Sequence, residues 1–456
     1  MEFLSLSLPN FEVPGLDPQF VPLPLFFAAH QKKAEQPFAV ALQDAGGRTS
    51  VYKTKVVGTA EHRQADVYYI ERLAKFMLWS RGGCRMLLCG NAELGQAVKN
   101  NYAKQGARSF DCGFMQRVYG KPFETVVCSY EECPAPQQAS VSLGRHLDGC
   151  RIGFDAGGSD RKVSAVVDGK PVFSEEVVWF PKTNSNPDYH YEGIVQAFKT
   201  AASKMPRVDA IGISSAGVYV DNQCKVASLF LKVNDKDFAE KVEDIYIRAA
   251  KEIGDVPVAV ANDGDVTALA GSMGLNDGGV LGIAMGTSEA VGYVDTEGNI
   301  TGWLNELAFA PLDGQTNAAR DEWSGDIGCG VKYLSQDAII KLAPAAGITL
   351  PGKTPAEDLL EVQKLMEKDD ARAAEIYKNI GIYLGHALGL YSLFYEIRHV
   401  LMLGRVTSGK GGDIVLQQAT DVLKQNYPQC NFYPQAPDEK TRRVGQSVAA
   451  ASLPQI

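Results

Sequence analysis

The sequence predicts an α/β protein of two lobes preceded by an extra N-terminal α+β unit, and three observations carry that prediction. Residues 256–260 are a short apolar run with three valines, followed by Asn262, Asp263 and Asp265 and then by the apolar stretch 266–271, which reads as strand, polar turn, helix. Residues 152–168 and 279–295 repeat one plan: a buried strand, a tip of glycine and hydroxyl residues, a returning strand and a closing aspartate (Asp168, Asp295). Finally, 456 residues are too many for one hydrophobic core, while 45% hydrophobic and 22% charged residues are ordinary for a soluble globular chain.

Charge narrows the function classes. The formal net charge is -9, with acidic and basic residues interspersed, so neither a nucleic-acid nor a membrane surface is expected. No apolar run reaches the roughly 18 residues of a membrane span. The first residues lack the basic, apolar, small-residue order of a secretion signal, and a cytoplasmic location is expected. The nine cysteines are odd in number without a recurring pair spacing, which fits reduced, buried thiols.

Taken in order, residues 1 to about 35 carry prolines at 9, 14, 18, 22 and 24 and read as an extended arm packed on a surface. Residues 38–42 and 49–56 flank Asp44-Ala45-Gly46-Gly47 as a hairpin. The spacing of Val67, Ile70, Leu73, Phe76 and Met77 predicts a helix over 65–79, stopped by Gly82-Gly83. A strand over 84–90, a helix over 93–105 and a strand over 124–128 complete a unit without a catalytic constellation, and the polar, proline-bearing residues 131–138 mark its boundary. Asp155 then leads into the tip Ala156-Gly157-Gly158-Ser159, where backbone N–H groups can approach an anion and the carboxylate can hold a magnesium-bound water; a plain Gly-Gly hairpin is the other reading. Residues 179–189, with Trp179, Lys182, Asn184, Asn186, Asp188 and Tyr189, form a polar loop beside it that either reaches the substrate or stays a surface loop.

Residues 208–217 are a buried strand running into a small-residue loop, 238–253 are helical, and the 256–262 strand ends in Asn262-Asp263. Carboxyl ends of strands face the ligand crevice of an open α/β sheet, although the same Asn and Asp also suit a helix cap. The second tip is Gly286-Thr287-Ser288, and two tips suggest halves that grip one polyphosphate. A helical period covers 371–396; the strand 400–403 then enters a glycine run, Gly404 to Gly412, that either admits a flat ring or forms a surface loop.

This ordered set, Asp155-Ala156-Gly157-Gly158-Ser159, Ala261-Asn262-Asp263-Gly264-Asp265, Gly286-Thr287-Ser288 and the 404–412 glycines, resembles the phosphate-1, catalytic, phosphate-2 and adenosine segments of the ROK family (repressors, open reading frames and sugar kinases) of the actin, hexokinase and Hsp70 superfamily. The resemblance covers about residues 150–456 and implies a two-lobed actin-like ATPase (ribonuclease H-like) fold: a small lobe at 150–270, onto which 440–456 packs back, a large lobe at 271–440, and residues 1–145 as an accessory α+β domain. It further implies a homo-oligomer that phosphorylates a hexose-like sugar from ATP with Mg2+. Asp263 is then the general base and Asn262 the holder of a neighbouring hydroxyl; Ser215, Gly217 and Glu306 bind substrate, Glu306 standing where the family has Gly-Glu-x-Gly-His. Asp155 orients magnesium through water, Gly157, Gly158 and Ser159 face the transferred phosphate, Gly286, Thr287 and Ser288 hold the others, and Gly404, Gly411 and Gly412 border the adenosine.

The departures matter equally. Phe309 replaces the family's sugar histidine, and the family's cysteine cluster becomes Glu322-Trp323-Ser324-Gly325-Asp326-Ile327-Gly328-Cys329, so no structural zinc is expected. Ser288 and Glu289 leave the glycine-rich phosphate-2 pattern, and Trp303, Asp321, Glu322, Trp323 and Asp326 are candidates to line an altered pocket. Two other functions stand beside the kinase: a sugar- or nucleotide-binding sensor without turnover, and a repressor, against which the strand-bearing N-terminal unit argues.

Overall fold

The structure, a computed structural model, describes residues 1–137, 143–437 and 445–456. Gln138 of the expected boundary and residues 440–444 of the expected C-terminal return lie outside the described residues. The chain opens with the short hairpin β1 (Glu2–Phe3) and β2 (Leu6–Ser7), and then, where the sequence predicts an extended arm, it forms helix α1 (Leu23–Gln31). Pro22 is the N-cap and Pro24 lies in the first turn, where a missing N–H forfeits no helical bond and a fixed φ suits the helix, so these prolines start a helix instead of excluding one.

The predicted hairpin is β3 (Gln36–Gln43) and β4 (Thr49–Val56). Helix α2 (Arg63–Arg81) ends at Gly82, whose φ of 77° only glycine adopts freely. Strand β5 (Arg85–Cys89), helices α3 (Ala92–Asn101) and α4 (Ser109–Tyr119) and strand β6 (Glu124–Cys128) follow, giving a sheet in the order β4-β3-β5-β6.

The next sheet begins with β7 (Cys150–Ala156), β8 (Asp160–Val167) and β9 (Lys170–Val178). Then come α5 (Pro187–Ala202), β10 (Ala210–Ser215), the small hairpin β11 (Val218–Val220) and β12 (Gln223–Val226), the single turn α6 (Asp235–Asp237), α7 (Ile245–Lys251), β13 (Val258–Asn262) and α8 (Asp263–Leu275). The order is β13-β10-β7-β8-β9, with β7, β10 and β13 parallel and the β7-β8-β9 meander antiparallel. A third sheet repeats part of this plan. Strands β14 (Val280–Met285) and β15 (Glu289–Val294) form a hairpin, helices α9 (Gln336–Leu342), α10 (Pro355–Glu367) and α11 (Ala371–Tyr391) cross over, and β16 (His399–Leu403) joins β14 in parallel. After helix α12 (Gly409–Asn426), β17 (Pro434–Gln435) extends the order to β15-β14-β16-β17, and α13 (Gln446–Ala451) closes the chain.

Paired glycines let α13 lie on the middle sheet. Gly153 and Gly212 face each other across β7 and β10, and a Cβ on either would run into the α13 backbone at Ser447 or Ala450. Two main cores result. One lies between the middle sheet and α5 and α7, and includes Phe154, Phe198 and Tyr246. The other is continuous from the N-terminal elements, with Phe20, Phe76 and Trp79, to the third sheet and its helices, with Met402, Tyr383 and Leu423. Helix α4 of the N-terminal sheet also touches the β11–β12 hairpin, and Arg117 lies 5.7 Å from the Phe238 ring.

Candidate functional site

Three parallel strands end side by side. Across β10, Ser214 pairs with Asp155 and Ser215 with Asn262, so these residues share the carboxyl edge of the middle sheet, the edge at which such sheets bind ligands. Asp155 is buried and accepts a hydrogen bond from the Ser214 hydroxyl (2.7 Å). Burial raises its carboxyl to about 6, with the nearby Asp263 adding to the rise and Ser214 opposing it.

Asn262 is the N-cap of α8: its side-chain oxygen accepts the Gly264 N–H (2.7 Å), and its amide donates to the Gly217 carbonyl (2.7 Å). Capping leaves Asp263 as the first residue of the helix, half-buried at the positive end of its dipole. Burial raises the Asp263 carboxyl; its own hydrogen bond from Gly264 (3.0 Å) and the charge of Lys182 oppose this. Gln446 donates to the Asp263 carbonyl (3.2 Å) and to the Thr267 hydroxyl (2.6 Å), so α13 steadies this turn.

Asp263 also meets the third sheet. A small cavity of about 60 Å³ is lined by Asp263, Gly264, Thr267, Gly282, Ala284, Ala290 and Leu403. Ala284 and Ala290 flank the tip Gly286-Thr287-Ser288, where Thr287 and Ser288 are exposed and open space adjoins Gly286.

Glu306 completes the group. Asn305, in the left-handed region at φ 51°, is fixed by its amide on Asp265 (2.9 Å) and by the Tyr395 hydroxyl (2.9 Å). The Asn305 and Glu306 N–H groups donate to the Ser80 and Trp79 carbonyls (3.1 and 3.0 Å), which lie in the last turn of α2 and lack helical partners. Burial, with Asp263 and Asp265 adding, raises Glu306 to about 7; burial likewise raises Asp265 to about 7. Asp155, Asp263, Asp265 and Glu306 thus crowd one neighbourhood, each less acidic than a free carboxyl.

The other singled-out residues make contacts within the scaffold. The Ser215 hydroxyl is fully buried between those of Tyr246 and Tyr219 (2.7 Å each). Gly217, at φ 142°, leaves room for Ala227, and Trp179 donates to the Gly157 carbonyl (2.8 Å). Gly404 sits against the Met285 backbone, Gly411 against the Tyr377 ring and Gly412 against the Thr407 carbonyl, and the last two lie in the first turn of α12. Phe309 is buried against Trp79 (4.5 Å), Phe110 (5.9 Å) and Trp323 (5.6 Å). Trp303 stacks on Tyr293 beneath Arg81, Glu322 pairs with Lys332, Asp321 accepts from Ser324, and Asp326 pairs with Arg72, Lys75 and Arg108. Cys329 is fully buried, and among the described residues no group of three or more His, Cys, Asp or Glu side chains is placed to hold a metal ion.

Sequence reasoning missed the α2 carbonyls, and it took Lys182 only as part of a polar loop that either reaches the substrate or stays on the surface. Backbone acceptors leave no signature in side-chain pattern, and a lone lysine in a polar loop has none to distinguish it.

No family profile and no curated protein matches the sequence. Solved structures do. A ROK hexokinase from Thermus thermophilus superposes with a TM-score of 0.51 at 19% identity, over 66% of this chain and 97% of that one. A ROK family transcriptional regulator, a homologue of the E. coli MLC protein, gives 0.50 at 16% identity over 67% and 79%. At such identities the likeness is one of fold, and these two proteins show that one fold serves both catalysis and regulation.

Proposed function

Starting from the ROK-type, actin-like fold that this chain has, we propose that it transfers the terminal phosphoryl group of ATP to a hydroxyl of a hexose-like sugar. The observation that supports this best is the meeting of Asp263 with Asp155 on one side and with the strands that carry the 286–288 tip on the other. Asp263 takes the proton of the attacking hydroxyl as the oxygen–phosphorus bond forms, and the bond to the β-phosphate oxygen breaks with its electron pair leaving on ADP. Asn262, held as the cap, fixes the turn from which Asp263 projects. Glu306 accepts hydrogen bonds from acceptor hydroxyls once ionised. The open face at Gly286 and the exposed Thr287 and Ser288 give the remaining phosphates close approach to backbone N–H groups.

Crowded carboxyls repel a polyanion, so the donor must arrive with a cation. Asp155, whose raised carboxyl is short of positive charge, fits the magnesium shell of the nucleotide, and the ion supplies charge neutralisation on the phosphates. The aromatic burial of Phe309 favours a second reading, a sugar- or nucleotide-binding sensor without turnover, because no imidazole is left to meet the sugar.

The deciding experiment is ADP release from Mg-ATP across hexoses, amino sugars and polyols with wild type and Asp263→Asn. Stimulation by one acceptor that falls about 10²–10⁴-fold in the variant is expected for a positioned base. Binding of an acceptor, read as a raised Tm, without ADP release in the wild type would leave the sensor.

A further inference from the structure

The turn after β9 carries a cation that the proposed chemistry has left idle. Trp179 is buried and bonded twice to the β7–β8 tip: its backbone N–H donates to the Ser159 carbonyl (3.1 Å) and its indole N–H to the Gly157 carbonyl (2.8 Å). The Phe180 N–H donates to the Tyr189 hydroxyl (3.0 Å), and residues Pro181–Thr183 make one 3-10 turn. These bonds fix where residue 182 leaves the backbone. The Lys182 ammonium lies beside Gly158, 3.0 Å from where a Cβ on that residue would stand. The same charge reaches Asp263, and it opposes the burial that raises that carboxyl.

Lys182 makes no hydrogen bond and no ion pair among the described residues. Of the two cations of β8 next to the tip, Arg161 lies over the Trp179 ring (5.7 Å), and Lys162 stands between Asp160 and Glu176 (3.7 Å each). An unpaired ammonium, on a turn anchored to the glycine tip and within electrostatic reach of the proposed base, is placed for an anion that both would face.

We infer that Lys182 is a ligand of the terminal phosphate of the nucleoside triphosphate, holding it between Gly158 and Asp263. The inference rests on the kinase reading above and adds to it a residue that discriminates triphosphate from diphosphate. The ammonium stabilises charge on the phosphoryl oxygens while the acceptor proton goes to Asp263 and ADP departs.

Thermal-shift titrations with Mg-ATP, a non-hydrolysable Mg-triphosphate analogue and Mg-ADP, on wild type, Lys182→Met and Lys182→Arg, test this without any known acceptor. Because Lys182 is exposed and unpaired, the ligand-free Tm should be unchanged in both variants. The expected result is triphosphate affinity reduced about tenfold or more in Lys182→Met, ADP affinity unchanged, and partial recovery in Lys182→Arg. Equal loss for ATP and ADP, or no loss for either, overturns the role of Lys182 while leaving the kinase reading intact. A wild type that binds no nucleotide overturns both together.

Discussion

At the scale of single residues, burial without a counter-charge sets the behaviour of several acids. Glu289 follows the second tip and points into the protein: it is 4% exposed, one carboxyl oxygen accepts from the Tyr391 hydroxyl (2.7 Å), and the other has no hydrogen-bond partner among the described residues. Burial pushes it from its ordinary 4.5 up to about 8. Between those values the folded chain keeps a proton that the unfolded chain has released, so stability falls as pH rises through this window and levels off above about 8. Glu289→Gln keeps the shape and the acceptor for Tyr391 but cannot ionise, so its Tm should decline less than that of wild type between pH 5 and 8. Parallel Tm-against-pH curves for the two proteins would remove this account. The same reasoning reaches activity. Glu306 at about 7 and Asp155 at about 6 must be ionised for the proposed roles, so acceptor-stimulated ADP release should fall as pH drops through about 7 and further near 6, a profile read from initial rates.

At the scale of elements, the loop after Glu306 shows how the N-terminal helices support the site. Asp326 is buried and pairs with Arg72 and Lys75 of α2 and with Arg108 just before α4. Burial alone would raise its carboxyl, but the three cations hold it far below the usual range. Asp326→Ala leaves those cations facing Glu71 and Asp111 alone, and breaking one side of a buried network costs about 3–5 kcal/mol, to be read from urea unfolding of the two proteins. A loss under about 1 kcal/mol would mean that water replaces the carboxylate. None of this was legible in the sequence, because charged residues that interrupt an apolar helical period, as Arg72 and Lys75 do, read as its solvent face, and Arg108 precedes a helix without a clear period. Elements with strong internal pattern were legible: β7, β10, β13, β14 and β16 are apolar runs bounded by glycine or polar tips, and their order led to Asp155, Asp263 and 286–288. Strand β9 was missed because its residues are largely exposed and carry no alternation, helix α4 because Gly113 and its polar residues weaken the period, and the start of α12 because a glycine run reads as a loop whether or not a helix begins in it.

At the scale of the whole molecule, the division at residues 131–138 separates two stretches of sequence, and the packing ignores it. Phe20, Phe26, Leu73, Phe76 and Trp79 are at most 1% exposed, and they belong to the same core as Leu307, Phe309, Tyr333, Tyr383 and Tyr391. Phe76 stacks on Phe394 (4.1 Å), Phe20 meets Tyr383 (4.8 Å), and Lys341 and Tyr383 both bond to Asp17. Each large apolar side chain so buried contributes about 1.5–3 kcal/mol, and a domain's net stability is only about 5–15 kcal/mol, so removing the N-terminal residues exposes more than the remainder can lose. The loss would also be functional, since α2 supplies the carbonyls that hold Asn305 and Glu306, while α4 rests on the β11–β12 hairpin of the middle sheet. A fragment of residues 146–456 is therefore expected to be insoluble or to lack a cooperative thermal transition by circular dichroism, and adding the separate N-terminal piece during refolding should recover part of it. A fragment that melts cooperatively near the full-length Tm and still binds Mg-ATP would make the N-terminal elements a detachable attachment, and the aromatic packing at Phe309 would then be a consequence of their presence and not a condition of the fold.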